Sequence, residues 1–368
     1  MGVWFLESWS LLLPPSPARK IMGAEADHRI SPPTLVGRGR TSDAPAVLGL
    51  QLSALIDHVA RVDWSLLDRI PGDRGGSQQV CIEELNHILA EVNAQILPSR
   101  DDLSPIRTIA GGSVANTIRG LSAGFGISTG IIGACGDDSQ GVLFVSNMSF
   151  SGVDLTRLRT KKGNTAQANE FKKEDFKGSK WLVVRYAIQN MEQILEAIRI
   201  AKQEGLSVSL DLASFEMVRD YRTQLIDLLE TGNIDLCFAN EDEARELLGG
   251  ELTFDPEEAL AFLAKYCKWA VVTLASKGCI AKHGKQVVQV AATGESNAVD
   301  ATGAGDLFAS GFLYGLVKGL PLEECCKVGA CSGGSVVRAL GGEVRPENWQ
   351  WMYKQMNASG LLLPDLKN

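Results

Sequence analysis

The sequence predicts an α/β fold in which helices cover both faces of a mainly parallel sheet. The main observation is that short apolar runs alternate regularly with helical patterns from residue 180 onward. A second observation is that glycine-rich or polar motifs follow several predicted strands, where α/β proteins bind their ligands. In addition, 45% of the 368 residues are hydrophobic, which is enough for one large core or two modest ones.

The predicted elements extend over most of the chain. Strands are predicted at residues 46–50, 127–134, 181–186, 206–210, 234–239, 270–274 and 287–290. Helices are predicted at residues 82–97, from the glycine pair at 111–112 to about 120–124, at 189–204, 221–231, 241–248 and 256–267, and from about 303 onward.

Composition and motifs argue against several classes of protein. The net charge of −8 argues against nucleic acid as the main partner, and no apolar stretch reaches the length of a transmembrane helix. The eight cysteines show no Cys-x-x-Cys spacing and the four histidines are well separated, so a zinc site is not favoured. P-loop kinases and dinucleotide oxidoreductases are not favoured either, because their glycine motifs do not occur.

Residues 1–44 differ from the rest of the chain. They are rich in Pro, Ser, Gly and Arg without sustained periodicity, so we expect a disordered extension. Glu7, Glu25 and Asp27 count against a transit peptide. A cytoplasmic location is therefore expected, with a plastid or mitochondrion as the alternative if residues 1–44 are a transit peptide.

The stretch from Asn297 to Phe312 carries the clearest chemical pattern. Small residues at 303–305 precede an apolar run with helical spacing, so backbone N–H groups at the helix start would form an anion site. Asp306 would repel a phosphate there, and therefore fits a general base that takes a proton from an attacking hydroxyl. The alternative is a helix N-terminal acid that the helix dipole stabilises.

This stretch resembles a known family signature. Asp-Ala-Thr-Gly-Ala-Gly-Asp at 300–306, followed by Phe-Ala-Ser-Gly-Phe at 308–312, resembles the C-terminal signature of the PfkB (ribokinase-like) sugar and nucleoside kinases. The family usually has Thr where Ala301 stands. The resemblance extends from about residue 46 to 346 and implies a ribokinase-like three-layer sandwich with a small β-sheet lid.

The resemblance also implies an organisation and a catalytic centre. It places a kinase domain at residues 45–362 and leaves 363–368 as a tail. Asp306 would be the catalytic base. The backbone at Gly303, Ala304 and Gly305 would hold the transferring phosphoryl group.

Four residues are assigned to substrate binding by the same resemblance. Asp57 follows the first strand and would accept hydrogen bonds from two substrate hydroxyls. Gly111 and Gly112 resemble the glycine pair that admits substrate and acts as a lid hinge, and Asn116 matches the substrate-binding Asn of the family. Without the resemblance, Asp57 would be a solvated acid at a strand end and the glycines a tight turn.

Asn240 and Glu243 match the Asn-x-x-Glu motif of the family. In that interpretation Asn240 lies near the nucleotide phosphates and Glu243 near Mg²⁺, acting through water. The same two residues are also typical of a helix cap followed by acids that complement the helix dipole. Both interpretations can hold together.

The nucleotide site would be completed by a turn and a later helix. Thr273, Lys277 and Gly278 resemble the nucleotide-binding Thr-Leu-Gly-x-x-Gly turn, although exposed turn lysines usually have no such role. The base would lie against the segment from Ala330 to Gly334, whose small residues equally suit tight helix packing.

Asp300 and Thr302 border the place of a monovalent-cation site that many family members have. The resemblance therefore adds K⁺ to the cofactors that this chain could use, beside ATP and Mg²⁺.

One part of the family pattern is missing from this chain. Residues 160–167 resemble the beginning of a family strand, but two strands and their turn, about 15–20 residues, do not follow. We therefore expect a truncated lid from about 51–62, 104–110 and 155–168. A shortened variant and a divergent family member are both consistent with this gap.

The resemblance implies ATP-dependent phosphorylation of a hydroxymethyl group on a sugar or nucleoside. The Gly-Gly-Ser-x-x-Asn form is closer to the adenosine-kinase-like branch. Expected partners are the small-molecule substrate, without nucleic acid or membrane, in a monomer or homodimer. Because the lid hairpin is missing, the alternatives are a catalytically impaired protein that binds nucleotide or a partner protein, and a chain that does not fold stably.

Overall fold

A computed structural model describes the chain from Ala44 to Leu366 with several gaps. The described residues are 44–60, 62, 64–67, 82–95, 106–162, 166–250, 255–294 and 298–366. Outside them lie the expected N-terminal extension except Ala44, residues 96–97 of a predicted helix, residues 61, 104–105 and 163–165 of the expected lid, and Asn297.

Short strands and helices alternate along most of the described chain. The strands are β1 (Val47–Gln51), β2 (Leu55–Ala60), β3 (Ile106–Gly111), β4 (Thr129–Cys135), β5 (Leu158–Thr160), β6 (Trp181–Arg185), β7 (Ser207–Asp211), β8 (Leu236–Asn240), β9 (Trp269–Thr273), β10 (Cys279–His283) and β11 (Gln286–Val290). The helices are α1 (Trp64–Leu67), α2 (Ile82–Gln95), α3 (Ser113–Phe125), α4 (Ser139–Phe150), α5 (Lys173–Phe176), α6 (Met191–Gln203), α7 (Phe215–Asp220), α8 (Arg222–Glu230), α9 (Glu241–Leu247), α10 (Pro256–Leu263), α11 (Ala304–Lys318), α12 (Leu322–Val336) and α13 (Pro346–Ala358). Single 3₁₀ turns cover Ala168–Glu170, Ile188–Asn190 and Ala275–Lys277.

Nine strands of the described chain form one central sheet in the order β11-β10-β9-β8-β7-β6-β1-β4-β5. The seven strands from β9 to β5 in this order are parallel to one another. Strand β10 is antiparallel to both β9 and β11. The predicted α/β fold with a mainly parallel sheet is therefore confirmed. Sequence analysis missed β10, because five residues carry little periodicity and the first of them belonged to a predicted turn.

Helices cover both faces of this sheet and make two large hydrophobic cores. Successive residues of a strand point to opposite faces, so Leu48 joins one core and Val47 the other. The core that contains Leu48 packs under α6, α8, α9 and α10. The core that contains Val47 packs under α3, α11, α12 and α13. This arrangement is the expected three-layer sandwich.

A separate two-stranded sheet consists of β2 and β3. The two strands are antiparallel, with Leu55 opposite Gly111 and Ala60 opposite Ile106. Apart from Gly111, they lie within the segments 51–62 and 104–110 that were expected in the lid, and we call them the lid sheet. Its closure over a substrate stays a prediction. The third segment, at 155–168, was expected in the lid but lies differently. Its strand β5 pairs in parallel with β4 at the edge of the central sheet, and the strand ends at Thr160 instead of beginning there.

The chain after β5 covers the free edge of that strand with side-chain contacts. Arg159 Nη2 donates to the Glu170 carbonyl and to Asp175 Oδ2, both at 2.7 Å. The Ala166 N–H donates to the Leu52 carbonyl at 2.9 Å, and Phe176 is fully buried. Among the described residues between Thr160 and Trp181 there is no strand. The segment thus occupies the edge without the two strands that the family pattern would add.

The carboxyl ends of the parallel strands meet at one edge of the sheet, where α/β proteins bind ligands. Five strands end there in residues that recur below, and these are Gln51 of β1, Arg185 of β6, Asp211 of β7, Asn240 of β8 and Thr273 of β9. In the described part of the chain, no helix has the length and apolar character needed to cross a bilayer.

Candidate active site

The N-terminus of α11 presents the predicted catalytic motif. Gly303 caps the helix with φ 71°, a left-handed conformation, and an added Cβ there would lie 2.9 Å from the Gly342 Cα. The space beside Gly305 is open, because no heavy atom lies within 4 Å of the Cβ position. The Ala304 N–H already donates to the Ala301 carbonyl at 3.1 Å. An anion could therefore approach the helix start at Gly305.

Asp306 lies in the first turn of α11 and contacts the start of α3 through both carboxylate oxygens. Ser113 Oγ donates to Oδ1 at 2.6 Å, and Asn116 Nδ2 donates to Oδ2 at 3.0 Å. The backbone carbonyl of Asp306 accepts from Thr117 Oγ1 at 3.2 Å. The two helix N-termini therefore meet at this carboxylate, and Asn116 is brought to Asp306 over 190 residues of sequence.

The predicted substrate residues lie on β2, on β3 and at the start of α3, and of these Asn116 contacts the Asp306 carboxylate. Asp57 on β2 lies against Gly111 on β3, where an added Cβ would fall 1.9 Å from Asp57 Oδ1. Gly112 has φ 93° and leads into α3, which carries Asn116. A side chain at 111 would displace the Asp57 carboxylate, and a side chain at 112 would adopt a strained φ.

Sequence analysis did not assign a role to Arg119, which lies under this group. Its guanidinium is buried and donates to the Ala110 carbonyl, to Asn116 Oδ1 and to the Gly342 carbonyl. Burial lowers the pKa of Arg119, while the carboxylates of Glu343, Asp57 and Asp306 act in the opposite direction. The available signal was a charged residue on the apolar face of a predicted helix.

Arg185 and Asp211 form a second polar group that sequence analysis missed. The two residues lie at the ends of the neighbouring strands β6 and β7, and both form hydrogen bonds with the backbone of Ala213. Arg185 Nη2 donates to the Ala213 carbonyl at 3.0 Å, while Asp211 Oδ1 accepts from the Ala213 N–H at 2.9 Å. Ala213 has φ 77°, a left-handed conformation that residues other than glycine seldom adopt. The pKa of Asp211 is raised to about 6, mainly by burial. The charge of Arg185 opposes this shift, and the charge of Asp306 adds to it.

Asn240 and Glu243 form a reciprocal cap at the start of α9. Asn240 Oδ1 accepts from the Glu243 N–H and Glu243 Oε2 accepts from the Asn240 N–H, both at 2.8 Å. The capping interpretation is therefore confirmed. Burial, followed by repulsion from Asp211, raises the pKa of Glu243 to about 8.

The carboxylates of Asp211 and Glu243 fit a hard cation such as Mg²⁺. Each side chain feels the other's charge at the strand ends, and the cation would relieve that repulsion. Within the described residues, no group of three His, Cys, Asp or Glu side chains forms a complete metal site. Such a cation would need phosphate oxygens and waters as its remaining ligands, as Mg²⁺ commonly does.

The predicted nucleotide turn lies beside the end of β8. Thr273 is the register partner of Asn240 and its Oγ1 donates to the Ala239 carbonyl at 3.5 Å. Gly278 has φ 98°, and an added Cβ would fall 1.9 Å from the Val290 carbonyl oxygen. The exposed Lys277 forms an ion pair with Glu241 at 3.6 Å. The turn is thus adjacent to the cap at Asn240.

Ala330 and Gly334 both lie on the buried face of α12. A Cβ at Gly334 would fall 2.0 Å from the Thr293 carbonyl oxygen and 3.1 Å from the Trp351 ring. The tight-packing interpretation therefore describes Gly334, and contact with a nucleotide base stays a prediction.

The Asp300 carboxylate organises the loop before α11. Its Oδ1 accepts from the Thr302 N–H and hydroxyl at 3.0 and 2.8 Å, and its Oδ2 accepts from the Gly341 N–H at 2.8 Å. Both oxygens therefore stabilise the loop that leads into the predicted anion site at the start of α11. The monovalent-cation site at these residues stays a prediction.

A cleft of about 280 Å³ opens at the carboxyl ends of β1, β6 and β7. Residues from both the predicted and the missed groups line it, including Gln51, Gly112, Ser113, Arg185, Tyr186 and Ala213. Its wall therefore reaches Ser113, whose hydroxyl contacts Asp306.

The chain is similar to several known kinases. It is 26% identical over 234 residues to an uncharacterized sugar kinase from Archaeoglobus fulgidus, covering 57% of this chain and 91% of the relative. It is 25% identical to the 5-dehydro-2-deoxygluconokinase of Geobacillus thermodenitrificans, over 62% of this chain and 78% of the relative.

Two solved structures are also similar. The probable sugar kinase from Rhizobium etli superimposes with a TM-score of 0.73 at 26% identity, covering 86% of this chain and 99% of that protein. The adenosine kinase from Sinorhizobium meliloti superimposes with a TM-score of 0.73 at 27% identity, covering 83% of this chain and 98% of that protein. These likenesses agree with the three-layer α/β architecture.

A family model matches most of the chain. The model of the pfkB family carbohydrate kinases matches residues 80–348, which include α3, both strand-end groups and the Asp306 motif, while Asp57 lies before the match. The matched residues make up well over half of the sequence, and the fold and the related kinases agree with them. The chain therefore belongs to the PfkB family of carbohydrate kinases.

Proposed function

We propose that this protein transfers the γ-phosphoryl group of ATP to a hydroxymethyl group of a sugar or nucleoside. The observation that carries the proposal is the position of Asp306 at the start of α11. Its carboxylate stands one residue beyond the open backbone at Gly305, where an anion can approach. A base and an anion site are thus adjacent, as in-line phosphoryl transfer requires.

In this proposal the substrate hydroxyl that attacks the phosphorus atom gives its proton to Asp306. The new bond joins the substrate oxygen to phosphorus, and the bond from phosphorus to the ADP oxygen breaks. Backbone N–H groups at Gly303, Ala304 and Gly305 stabilise the charge on the transferring group. The Ala304 N–H must leave the Ala301 carbonyl to take part.

The group around Asp57 holds the rest of the substrate. The Asp57 carboxylate would accept hydrogen bonds from two substrate hydroxyls. Because Gly111 has no side chain, this carboxylate can lie directly against the backbone of β3. Asn116 Nδ2 has a second hydrogen beside the one that it donates to Asp306. That hydrogen can reach a substrate oxygen while the first continues to orient the base.

Asn240 and Glu243 would lie by the nucleotide phosphates, with Asp211 beside them. Mg²⁺, when bound there, neutralises phosphate charge. The carboxylates of Glu243 and Asp211 would hold the cation, Glu243 through water. Glu243 must be ionised for this role, and a cation nearby favours that form.

The nucleotide would extend along the ends of β8 and β9. Thr273 and Gly278 would lie beside the phosphates. Lys277 would leave its ion pair with Glu241 to reach them. Ala330 and Gly334 would face the base. K⁺ at Asp300 and Thr302 would stabilise the loop before α11, in a position where Asp300 already holds Gly341.

The test is ATP-dependent ADP release by the purified chain with Mg²⁺ and K⁺. The acceptor panel includes adenosine, cytidine, ribose and 5-dehydro-2-deoxygluconate. We expect one acceptor to stimulate release, and Asp306→Asn to lower kcat by about 10²–10⁴-fold because it removes the general base. Glu323→Gln is the matched control, since Glu323 is an exposed acid in the first turn of α12.

A folded chain that binds ATP but turns over no acceptor would support the impaired-kinase alternative instead. Equal activity in the wild type and Asp306→Asn would contradict the role of Asp306.

A further inference from the structure

The guanidinium of Arg119 is buried in the interior beneath the candidate active site. Its side chain is on α3 and only 4% exposed. Arginine is seldom buried to this degree unless its charge is paired, because removing the charge from water is costly. A cation at this position therefore needs partners that repay its desolvation.

The hydrogen-bond partners of Arg119 come from three parts of the molecule. Nη1 donates to the Ala110 carbonyl at the end of β3 at 3.0 Å. Nη2 donates to Asn116 Oδ1 at 2.6 Å and to the Gly342 carbonyl at 3.3 Å. The shortest of these bonds goes to a side chain that itself contacts Asp306.

The contact with Arg119 determines which way the Asn116 amide faces. A guanidinium has only donors, so the Asn116 atom that faces it must be the oxygen. The amide nitrogen then necessarily faces Asp306 Oδ2, at 3.0 Å. Arg119, Asn116 and Asp306 therefore form a directed chain in which each member donates to the next.

We propose that Arg119 is a positioning residue that acts through Asn116 to hold the Asp306 carboxylate in place and in its ionised form. The proposal rests on the function proposed above, in which Asp306 accepts a proton. A base that is already ionised and oriented needs no rearrangement when the substrate hydroxyl arrives. Arg119 itself touches neither substrate nor phosphate.

The surrounding charges make such a cation necessary. Glu343, Asp57 and Arg107 face Arg119 from the loop before α13, from β2 and from β3. Asp306 also faces Asp211 from β7, and each of these carboxylates opposes ionisation of the other. Arg185 on β6 also faces Asp211. The four acids still outnumber Arg107, Arg119 and Arg185, so removing the charge at 119 would favour protonation of Asp306.

The test follows the titration of Asp306 directly by NMR of protein labelled with ¹³Cγ-aspartate. Asp306→Asn identifies the resonance. We expect Arg119→Met to raise the titration midpoint of Asp306 by about 1 pH unit, and Arg119→Lys, which keeps the charge, to raise it by much less. A purely structural role for Arg119 predicts an unchanged midpoint in both variants, and that result would overturn the proposal.

A second variant covers the case in which Arg119→Met does not fold. Asn116→Ala keeps the buried cation but removes the hydrogen bonds that link Arg119 to Asp306. The titration midpoint of Asp306 should therefore also rise in this variant, and an unchanged midpoint would again overturn the proposal. Because this measurement needs no substrate, it is separate from the test of function. A chain with the expected NMR shift but no turnover on any acceptor would contradict the proposed function alone.

Discussion

The surroundings of Glu243 differ from those that its sequence position indicates. It follows two acids at the start of a helix, a pattern typical of solvated side chains, yet it is only 4% exposed. Burial and the charge of Asp211 raise its pKa to about 8 from an ordinary value of 4.5. In the absence of a bound cation, these surroundings favour the protonated form of Glu243.

This shift predicts how stability depends on pH. Between pH 4.5 and 8 the folded state binds more protons at Glu243 than the unfolded state does, so stability falls as pH rises through this window. Glu243→Gln removes the titration while its Oε1 can still accept from Asn240. As pH rises over this range, we expect the free energy of unfolding to fall by about 1–2 kcal/mol less in the variant than in the wild type.

Thermal or urea unfolding without Mg²⁺ at pH 5, 6, 7 and 8 measures this difference. Glu258→Gln is the control, because Glu258 is an exposed acid in the first turn of α10. Parallel pH profiles for the wild type and Glu243→Gln would contradict the expected shift.

At the scale of single elements, the turn between β9 and β10 depends on one glycine. Gly278 has φ 98° and ψ −126°, which side chains do not tolerate, and the Val290 carbonyl occupies the place of a Cβ. The turn connects the last parallel strand to the antiparallel hairpin of β10 and β11. A side chain at 278 would therefore displace β11 as well as strain the turn.

We expect Gly278→Ala to lower the free energy of unfolding by about 3 kcal/mol or more, from strain and the backbone clash. Gly284→Ala is a control in the next turn, where φ is 57° and the space is open, and it should cost about 1–2 kcal/mol. Urea unfolding of both variants measures the contrast. Equal losses would show that positive φ alone, and not the contact with Val290, limits residue 278.

At the scale of the whole molecule, the lid sheet contacts the loop beside the predicted anion site. Arg107 on β3 forms an ion pair with Glu343, and its Nη1 donates to the Leu340 carbonyl at 3.5 Å. The loop that contains Leu340 and Glu343 also places Gly342 against Gly303. In the same loop, the Gly341 N–H donates to the Asp300 carboxylate. The β2–β3 sheet is thus joined through Arg107 to the loop that supports the start of α11.

We expect Arg107→Gln to increase amide hydrogen exchange in β2 and β3 by about threefold to tenfold, because the lid loses a half-buried ionic contact worth about 1 kcal/mol. Hydrogen-exchange mass spectrometry measures this effect. Arg199→Gln, which breaks an ion pair with Glu196 within α6, should leave exchange in β2 and β3 unchanged. Unaltered exchange in Arg107→Gln would show that the ion pair does not hold the lid.

Most of the fold could be predicted from the sequence, since it depends on local patterns. The alternation of apolar runs with helical patterns predicted the parallel sheet, and most predicted boundaries lie within two residues of the structure. Strand β10 was missed, and the segment at 155–168 was placed in the lid although β5 extends the central sheet. Edge elements of three to five residues carry too few positions to show a period.

The sequence by itself determined the motifs of the site, because local spacing sets the start of α11, the cap at Asn240 and the glycine pair before α3. Only the tertiary structure decided which side chains face one another. It brought Asn116 to Asp306 and buried Arg119 beneath them, and it set Arg185 and Asp211 on neighbouring strands. The physical reason is that hydrogen bonds, desolvation and charge repulsion between distant segments depend on packing, which no local pattern specifies.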